Sequence, residues 1–247
     1  MRTRFIALAA LVLMASGCKP TPETQQAAMV SPVGTRPSLG LMTTLPLLWG
    51  EQASFGDILA NEEAPGWVRG ALEERFRLEP LDVLDGAALA GVRLLVLAQP
   101  RALSPQENVA LDAWVRGGGR VLIFADPLLT AHSRFPIGDR RRPQDVVLLS
   151  PLLTHWGLAL SFDEDQTEGK REVVVAGQPI QIEQAGTLAV TDTAECAISG
   201  QGLLARCAIG KGRATIFADA HVVAEEDVED PAARQRAFEA LMRTAFD

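Results

Sequence analysis

A ten-residue pattern that occurs twice places the strongest constraint on the fold. Residues 117–126 read GGGRVLIFAD and residues 210–219 read GKGRATIFAD, so each copy has a glycine-rich start, an arginine, an apolar run and a closing aspartate. An apolar run of this length beside turn residues is typical of a strand that is buried on both faces of a parallel sheet. The stretch GVRLLVLAQP, with its apolar run at residues 92–98, predicts a further strand of the same kind.

Helical patterns alternate with these strands through the first half of the chain. An apolar run at residues 39–44 predicts the first strand, residues 65–76 place apolar side chains at helical spacing, and residues 78–81 predict another short strand. The stretch SPQENVALDAWVRGGG predicts a helix with Ser104 as N-cap and Glu107 completing a capping box. This order of elements predicts a three-layer α/β domain with a mostly parallel, flavodoxin-like central sheet.

The second half of the chain predicts a different mixture. A polar insertion follows Asp126, and Ser150 as cap with Pro151 in the first turn predicts a short helix. Residues 171–209 alternate in polarity and turn at glycines, which predicts a region of antiparallel hairpins. The run ATIFAD predicts the last strand, and residues 231–244 predict the last helix. The apolar side of that helix is predicted to consist of Ala232, Phe238, Leu241 and Met242.

The two copies of the repeated pattern are preceded by different elements, the first by a helix and the second by a hairpin. This difference favours two similar local solutions over an internal duplication. Each closing aspartate, Asp126 and Asp219, can cap the loop that follows it through its carboxylate. Because the carboxyl ends of parallel strands lie at one edge of a sheet, we expect both carboxylates at the same edge.

The amino terminus predicts an exported, membrane-anchored protein. Residues 1–17 have the layout of a secretory signal peptide, with arginines, then an apolar stretch, then small residues. The sequence Ala-Ser-Gly-Cys resembles the lipobox of bacterial lipoproteins, which implies that Cys18 is acylated and anchors the protein in the cell envelope. Lys19 follows the cysteine and favours the outer membrane over the inner one as the site of the anchor.

The composition of the remaining chain bounds its partners. Residues 18–36 are rich in Pro, Thr, Gln and small residues and predict a flexible tether, which leaves residues 37–247 for the α/β domain. The formal net charge of −8 argues against binding to nucleic acid and against broad adhesion to anionic lipid. Neither a G-x-G-x-x-G after a strand nor a G-x-x-x-x-G-K-[ST] occurs, and no cofactor is predicted.

A family resemblance rests on the middle of the chain. The block at residues 91–127 has a strand that ends in proline, a helix with Trp114 near its end and the run GGGRVLIFADP. It resembles the periplasmic domain of auxiliary proteins of uncharacterised ABC transport systems, a group that includes gliding-motility-associated members. The stretches SPLLTHWGLAL and GKGRATIFADAH continue the likeness, which covers roughly residues 38–222.

The resemblance implies a fold similar to that of the class I glutamine amidotransferases. It also implies ABC transporter components, or another envelope protein, as partners. The chain lacks a Gly-x-Cys-x-Gly or G-x-S-x-G elbow, so the resemblance implies no nucleophile.

Polar residues that follow the predicted strands form the candidate binding set. Asp126, Asp219 and His221 carry groups that a divalent metal or a hydrolase would need. However, no second histidine stands at helical or strand spacing from His221, so we assign neither a metal site nor catalytic residues. The candidate set consists of Trp49, Glu51, Gln99, Asp126, His132, Asp219 and His221.

The insertion after Asp126 carries a cluster of basic residues in an otherwise acidic chain. One interpretation is a grip for an anionic ligand, since guanidinium groups suit phosphate and carboxylate. The other is a solvated loop in which these groups pair with neighbours such as Asp139 and Asp145. The cluster consists of Arg134, Arg140, Arg141 and Arg142.

Two cysteines other than Cys18 predict a disulfide. Cys196 and Cys207 flank the stretch ECAISGQGLLARC, which is typical of a hairpin. If Gln201 and Gly202 occupy the turn, the register places the two cysteines directly opposite each other, within the distance that a disulfide tolerates. Export to an oxidising compartment favours the bridge. The alternative is two buried free cysteines that pack as small apolar side chains.

These observations favour a non-catalytic, periplasm-facing envelope lipoprotein. It would act as an accessory or ligand-recognition component of an ABC-type transport or export system. The alternative is a small hydrolase or amidase on an amidotransferase-like fold that uses Asp126, Asp219 and His221. A deep pocket with convergent polar side chains would favour the enzyme, whereas a wide face at the strand ends would favour partner binding.

Overall fold

A computed structural model describes residues 36–51, 66–191, 195–224 and 229–247. Residues Arg36–Asp247 form one compact unit. The predicted signal peptide at 1–17, Cys18 and all of the predicted tether except Arg36 lie outside the described residues. None of the helices in the described part of the chain is long and apolar enough to cross a membrane.

A central sheet of seven strands organises the unit, in the order β2-β1-β3-β4-β11-β10-β9. The five strands from β2 to β11 run parallel to one another, β10 runs antiparallel to β11, and β9 runs antiparallel to β10. The parallel part therefore has the 2-1-3-4-5 order of flavodoxin-like sheets. The seven strands are β1 (Ser38–Thr43), β2 (Arg77–Pro80), β3 (Leu94–Ala98), β4 (Arg120–Phe124), β9 (Cys196–Ser199), β10 (Leu204–Ile209) and β11 (Gly212–Phe217).

Helices cover both faces of this sheet. Buried side chains of α1 and α5 pack in one apolar cluster with Leu122 and Phe124 of β4, and those of α2, α3 and α4 pack in a second with Val121 and Ile123. Alternate residues of β4 thus point to opposite faces, as in a strand buried on both sides. The helices are α1 (Trp67–Arg75), α2 (Gly86–Ala90), α3 (Pro105–Arg116), α4 (Ser150–His155) and α5 (Pro231–Phe246), with a 3₁₀ turn at His221–Val223.

The two copies of the repeated pattern are neighbours in the sheet. β4 and β11 pair in parallel, with Ile123 opposite Ile216 and Phe124 opposite Phe217. The glycine before the arginine has a packing reason in both copies. A Cβ at Gly119 would lie 2.5 Å from the ring of Trp114, and one at Gly212 would lie 2.0 Å from the carbonyl oxygen of Val115. The pattern therefore marks two adjacent strands that begin against α3 and the turn after it.

The predicted hairpin region divides among three sheets. β6 (Lys170–Val175) and β7 (Gln178–Glu183) form a separate hairpin, whereas β9 and β10 extend the central sheet. β8 (Thr187–Val190) pairs with β5 (Leu158–Ser161), a strand far from it in sequence. The prediction of antiparallel strands is confirmed, although β8 does not join its sequence neighbours in one sheet.

Local details confirm some predictions and correct others. Ser104 caps α3, with both hydrogen bonds of the capping box to Glu107 present. Ser150 does not cap α4: it is the first helical residue, Leu149 takes the cap position, and no side chain caps that helix end. On α5, Ala232 is exposed and Arg234 is buried instead. The guanidinium of Arg234 donates to the carbonyl oxygens of His221 and Ala224, which explains how a charged side chain occupies that position.

The predicted disulfide is confirmed. Cys196 and Cys207 are bonded, their Cα atoms are 4.0 Å apart, and they are paired residues of β9 and β10. The turn of the hairpin contains Gln201 and Gly202, both with positive φ. The predicted register is therefore also confirmed.

Removing the disulfide is expected to lower the free energy of unfolding by about 2–3 kcal/mol, because the bridge closes only a short loop of the unfolded chain. The measurement is chemical denaturation of the wild type and of a variant with both Cys196→Ala and Cys207→Ala. In the purified wild type, thiol alkylation before and after reduction is expected to label these two cysteines only after reduction. Labelling of both without reductant would contradict the bridge.

Candidate functional site

The carboxyl edge of the parallel sheet brings together four of the seven candidate residues. Gln99 follows β3, Asp126 follows β4, and Asp219 and His221 follow β11. All four are buried, with exposed fractions between 0 and 3%. The expectation that both aspartates lie at one edge is confirmed, since their strands are adjacent and in register. We call these four residues the buried edge cluster.

Gln99 joins two strand ends through its side chain. Its Oε1 accepts a hydrogen bond of 2.9 Å from the backbone N–H of Asp126, and its Nε2 donates to the carbonyl oxygen of Asp126 at 3.0 Å. The same Nε2 donates to the carbonyl oxygen of Gln144 at 2.8 Å. Gln99 has a φ of 43°, which is uncommon for a residue other than glycine. Residues with such backbone conformations are found where the surrounding structure holds the backbone firmly in place.

The point between β1 and β3 is where sheets of this strand order place ligands. Here the chain's own insertion fills that position. Gln144 donates its backbone N–H to the hydroxyl oxygen of Thr44 at 3.1 Å, and the Thr44 hydroxyl donates to the carbonyl oxygen of Gln99. The backbone N–H of Val147 donates to the carbonyl oxygen of Asp126 at 3.0 Å.

Both aspartates cap the loops that follow them, as predicted. Asp126 Oδ1 accepts from the N–H of Leu128, two residues on, at 2.9 Å, and Asp219 Oδ1 accepts from the N–H of His221 at 2.7 Å. The second oxygen of each carboxylate joins separate segments. Asp126 Oδ2 accepts from the N–H of Ala220 at 3.1 Å, and Asp219 Oδ2 accepts from the N–H of Glu183, at the end of β7, at 3.0 Å.

Burial perturbs the acidity of both carboxyl groups. Loss of hydration raises the pKa of Asp126 to about 7, and the negative charge of Glu183 adds to this effect, while the N–H donors of Leu128 and Ala220 oppose it. Loss of hydration also raises the pKa of Asp219 well above its usual range, and the charge of Asp126 raises it further. The pair therefore favours a protonated state, because burial and the mutual repulsion of the two carboxylates both oppose ionisation.

The cluster contains an imidazole but not the arrangement of a metal centre. His221 Nδ1 lies 3.9 Å from Glu183 Oε2. Within the described ranges, no three His, Cys, Asp or Glu side chains are grouped so that they could hold a metal ion. The cluster can hold a proton and fix loops, because the polar side-chain atoms of Gln99, Asp126 and Asp219 bond to backbone groups of the chain.

The other three candidate residues lie outside this cluster. Trp49 follows β1 with 50% of its surface exposed, and the guanidinium carbon of Arg69 lies 5.5 Å from its ring centroid. Glu51 Oε2 accepts from the backbone N–H of Arg134 at 2.9 Å. His132 is exposed on the insertion. These positions place the loop after β1 beside the insertion.

The arginine-rich insertion is largely paired with its own carboxylates. Arg141 forms an ion pair of 2.7 Å with Asp139, and Arg142 forms one of 2.9 Å with Asp145. The guanidinium carbon of Arg141 also lies 4.2 Å from the ring centroid of Phe135. The interpretation of a solvated loop paired with Asp139 and Asp145 is therefore confirmed for these two arginines.

Apolar side chains are exposed on the same loops. Ile137 is 86% exposed, and the segment at residues 146–149 alternates between exposed and buried side chains. Together with Trp49 they form what we call the outer face of the carboxyl edge. The exposed apolar residues of this face are Trp49, Leu128, Ile137, Val146 and Leu148.

Three residues of the buried contacts were missed by the sequence analysis, namely Thr44, Gln144 and Glu183. Thr44 directly follows the end of β1. The rule that selected Gln99, namely that polar residues after parallel strands lie at the carboxyl edge, would also have selected Thr44. Gln144 lies in an irregular insertion, where no periodicity predicts which residue reaches the sheet edge. Glu183 is the last residue of β7, and only the packing of that hairpin brings it to Asp219.

A family match covers more than half of the chain. The model of the family described as "ABC-type uncharacterized transport system" matches residues 36–177. The match includes the sheet from β1 to β4, the insertion and the β6 strand. No curated protein matches the chain.

Solved structures with similar folds are distant. A β-galactosidase from Rahnella sp. R3 is 14% identical with a TM-score of 0.47, over 85% of this chain and 31% of its own. An exo-β-1,4-mannosidase from Opitutaceae bacterium strain TAV5 is 14% identical with a TM-score of 0.48, over 83% and 36%. A cytoplasmic protein from Salmonella typhimurium is 10% identical with a TM-score of 0.43, over 84% and 98%. The chain thus spans about a third of the length of these glycosidases.

Proposed function

We propose, from the premise that this chain belongs to the family described as "ABC-type uncharacterized transport system", that it is a non-catalytic envelope lipoprotein serving such a system. In this proposal the acylated Cys18 holds the protein on the periplasmic side of the envelope, with the outer membrane favoured by Lys19. The domain then acts as an accessory component that recognises a partner protein or a ligand. The observation that carries the proposal is the family match over residues 36–177.

The chemistry of the carboxyl edge supports a non-catalytic role. A hydrolase that used Asp126, Asp219 and His221 would need these groups to reach a substrate. Each is at most 3% exposed, and both oxygens of both aspartates accept hydrogen bonds from backbone N–H groups. The described residues of this edge therefore favour the non-catalytic role over the hydrolase alternative.

The outer face of the carboxyl edge is the surface on which we place partner recognition. Exposed aromatic and aliphatic side chains are the residues that anchor protein interfaces. Trp49 is half exposed, and the guanidinium of Arg69 packs against its ring. The same guanidinium donates hydrogen bonds to the carbonyl oxygen of Leu48 and to the carboxylate of Glu73. A tryptophan fixed in this way loses little conformational freedom when a partner covers it.

Replacement of Trp49 by alanine is expected to reduce co-purification of the transporter components about tenfold, the effect of losing one aromatic anchor of an interface. The melting temperature is expected to stay within about 2 °C of the wild type, because a half-exposed side chain contributes little to the core. The measurement is quantitative mass spectrometry of complexes captured from detergent-solubilised membranes, alongside thermal unfolding.

The matched control is Val109→Ala. Val109 is an exposed apolar residue in the second turn of α3 and is not one of the residues of the outer face, so its removal should leave co-purification unchanged. Equal losses in the two variants would show that the outer face has no special role. Unchanged co-purification in Trp49→Ala would remove this residue from the proposal.

A further inference from the structure

The amino edge of the parallel sheet carries a row of basic residues. We define the amino edge as the starts of β2, β3, β4 and β11 together with the turn between β10 and β11. An arginine begins β2 and β4, one directly precedes β3, and one is the second residue of β11, while the turn before β11 contributes a lysine. The row consists of Arg77, Arg93, Arg120, Lys211 and Arg213.

Some basic groups at this edge have structural roles. Helices in this fold run opposite to the strands, so the carboxyl-terminal ends of α1, α3 and α5 lie at the same edge and expose carbonyl oxygens. Arg120 donates to the carbonyl oxygen of Phe246 at the end of α5. Arg77 forms an ion pair of 2.7 Å with Glu79. These contacts account for two members of the row.

The other three members are not accounted for in this way. Arg93 and Lys211 are exposed and Arg213 is partly exposed, and none of them forms an ion pair or a side-chain hydrogen bond within the described parts of the chain. Arg213 is the registered neighbour of Arg120. Like charges at paired positions of adjacent strands repel each other, so this edge carries positive charge that an external anion would stabilise.

One cavity at this edge has more basic than acidic residues in its lining. Arg213 lines a cavity of about 410 Å³ together with Arg206 and Glu195. Two guanidinium groups therefore face one carboxylate there, although the whole chain has a formal charge of −8. The positive charge is a local feature of the amino edge, and the net charge conceals it.

The chain enters the domain at the same edge. Arg36 directly precedes Pro37 and β1, whose first residue Ser38 is registered with Arg77. In the proposed function, the segment between Cys18 and Arg36 tethers the domain to acyl chains in the bilayer. In that proposal a random coil of this length would span roughly 25 Å and would keep the amino edge near the lipid headgroups at a high effective concentration.

We propose that the amino edge is a membrane-facing surface that contacts anionic phospholipid headgroups through Arg93, Lys211 and Arg213. The proposal rests on the lipid anchoring in the proposed function and adds an orientation to it. The outer face of the carboxyl edge, at the opposite ends of the strands, then points away from the bilayer toward a partner. Each Lys or Arg side chain near an anionic membrane strengthens binding to it about fivefold, and salt weakens this attraction.

The test uses the full chain purified from bacterial membranes and reconstituted into vesicles of phosphatidylcholine, with or without phosphatidylglycerol. A fluorophore is placed at an introduced Ala90→Cys, an exposed position at the end of α2 on the amino edge, or at Ile137→Cys on the outer face. A spin label on the lipid headgroups quenches fluorophores that approach the bilayer. We expect quenching at Ala90→Cys to be at least about threefold stronger with phosphatidylglycerol present. This difference between the two kinds of vesicle should disappear at high salt.

Charge variants separate the amino edge from overall charge. The variant with Arg93→Gln, Lys211→Gln and Arg213→Gln should abolish the lipid-dependent quenching. The matched control, with Arg140→Gln, Lys170→Gln and Arg171→Gln, changes the net charge equally at exposed positions elsewhere and should retain the quenching. Equal behaviour of the two variants would overturn the proposal, and thermal unfolding of both verifies that they are folded.

Vesicle flotation distinguishes the two proposals. Flotation with neutral vesicles but no phosphatidylglycerol-dependent quenching would overturn the membrane-facing edge and leave the anchor intact. Flotation only with phosphatidylglycerol would support the edge and overturn the anchor. Flotation with neither kind of vesicle would overturn both.

Discussion

Replacement of Cys18 by alanine is expected to abolish incorporation of a fatty-acid analogue and to release the protein from the membrane fraction. Acyl chains on this cysteine would contribute about 0.8 kcal/mol for each buried methylene, and several chains together hold a protein stably where a single chain does not. The measurement is labelling of growing cells with an alkyne-bearing palmitate analogue, followed by fractionation into membrane and soluble material.

A matched cysteine variant controls for general effects of losing a thiol. The protein with Cys196→Ala and Cys207→Ala keeps Cys18 and should incorporate the label at the wild-type level. The disulfide that this variant loses lies within the folded unit, away from the acylated segment in sequence. Label retained by Cys18→Ala, together with unchanged membrane association, would contradict acylation at this residue. That outcome would also remove the tethered arrangement on which the orientation of the amino edge depends.

Periodicity in the sequence was sufficient to predict the parallel strands of the central sheet and four of its five helices, but not the short α2. The runs that became β3, β4 and β11 were recognisable because strands buried on both faces require apolar residues without alternation. The start of α3 was also predictable, because the capping box of Ser104 and Glu107 is a local sequence signal. Pairing between distant strands was not predictable: β8 joins β5 through burial of Leu158 and Leu188, a contact that no local pattern specifies.

The carboxyl edge shows the same division between local and distant information. The position of Asp126 beside Asp219 followed from the rule that parallel strands end at one edge. Their burial did not follow from it, because burial depends on the insertion that places Gln144 over Gln99 and on the hairpin that brings Glu183 to Asp219. Strand-end residues that suggest an open site therefore form internal contacts in this protein.

The basic amino edge had a signal in the sequence that went unused. The stretches GVR, GGGR and GKGR each place an arginine at or next to the start of a predicted strand. Since those strands run parallel, their first residues share an edge, and the arginines had to lie in a row. The total charge of −8 argued against contact with anionic lipid because it averages over the whole surface. Charge placed by topology is more informative for an α/β domain than net charge.

The second prediction concerns the dependence of stability on pH. The pKa of Asp126 is raised from 3.8 to about 7, chiefly by burial. Between these two values the folded protein holds a proton that the unfolded chain releases, so the free energy of unfolding decreases as the pH rises. The stabilisation is fully present below the unfolded pKa and is lost as the pH approaches 7. For this carboxyl alone the loss is about 4 kcal/mol across the window.

Replacement of Asp126 by asparagine is expected to remove the share of the slope that comes from this carboxyl, while Asp219, whose pKa is also raised well above its usual range, keeps its own share. Between about pH 4.5 and 6.5, the free energy of unfolding of the wild type should fall with a contribution of about 1.4 kcal/mol per pH unit from Asp126, and the variant should lack this contribution. The slope is the appropriate measure, because the asparagine amide must face one of the N–H groups of Leu128 and Ala220, which lowers stability by about 1–3 kcal/mol at every pH. Urea titrations at several pH values give the slope.

Asp139→Asn supplies the control for the pH experiment. The ion pair with Arg141 lowers the pKa of the exposed Asp139 to about 2, so this group is ionised in both folded and unfolded protein throughout the window and its loss should leave the slope unchanged. Glu107, whose pKa Arg101 lowers to about 2, contributes a slope of opposite sign that fades above its usual pKa of 4.5, and this contribution is the same in the wild type and in both variants. Parallel curves for the wild type and Asp126→Asn would show that Asp126 is already ionised in the folded protein. A weaker pH dependence in Asp126→Asn but not in Asp139→Asn would assign to the buried edge cluster a proton that the unfolded chain releases.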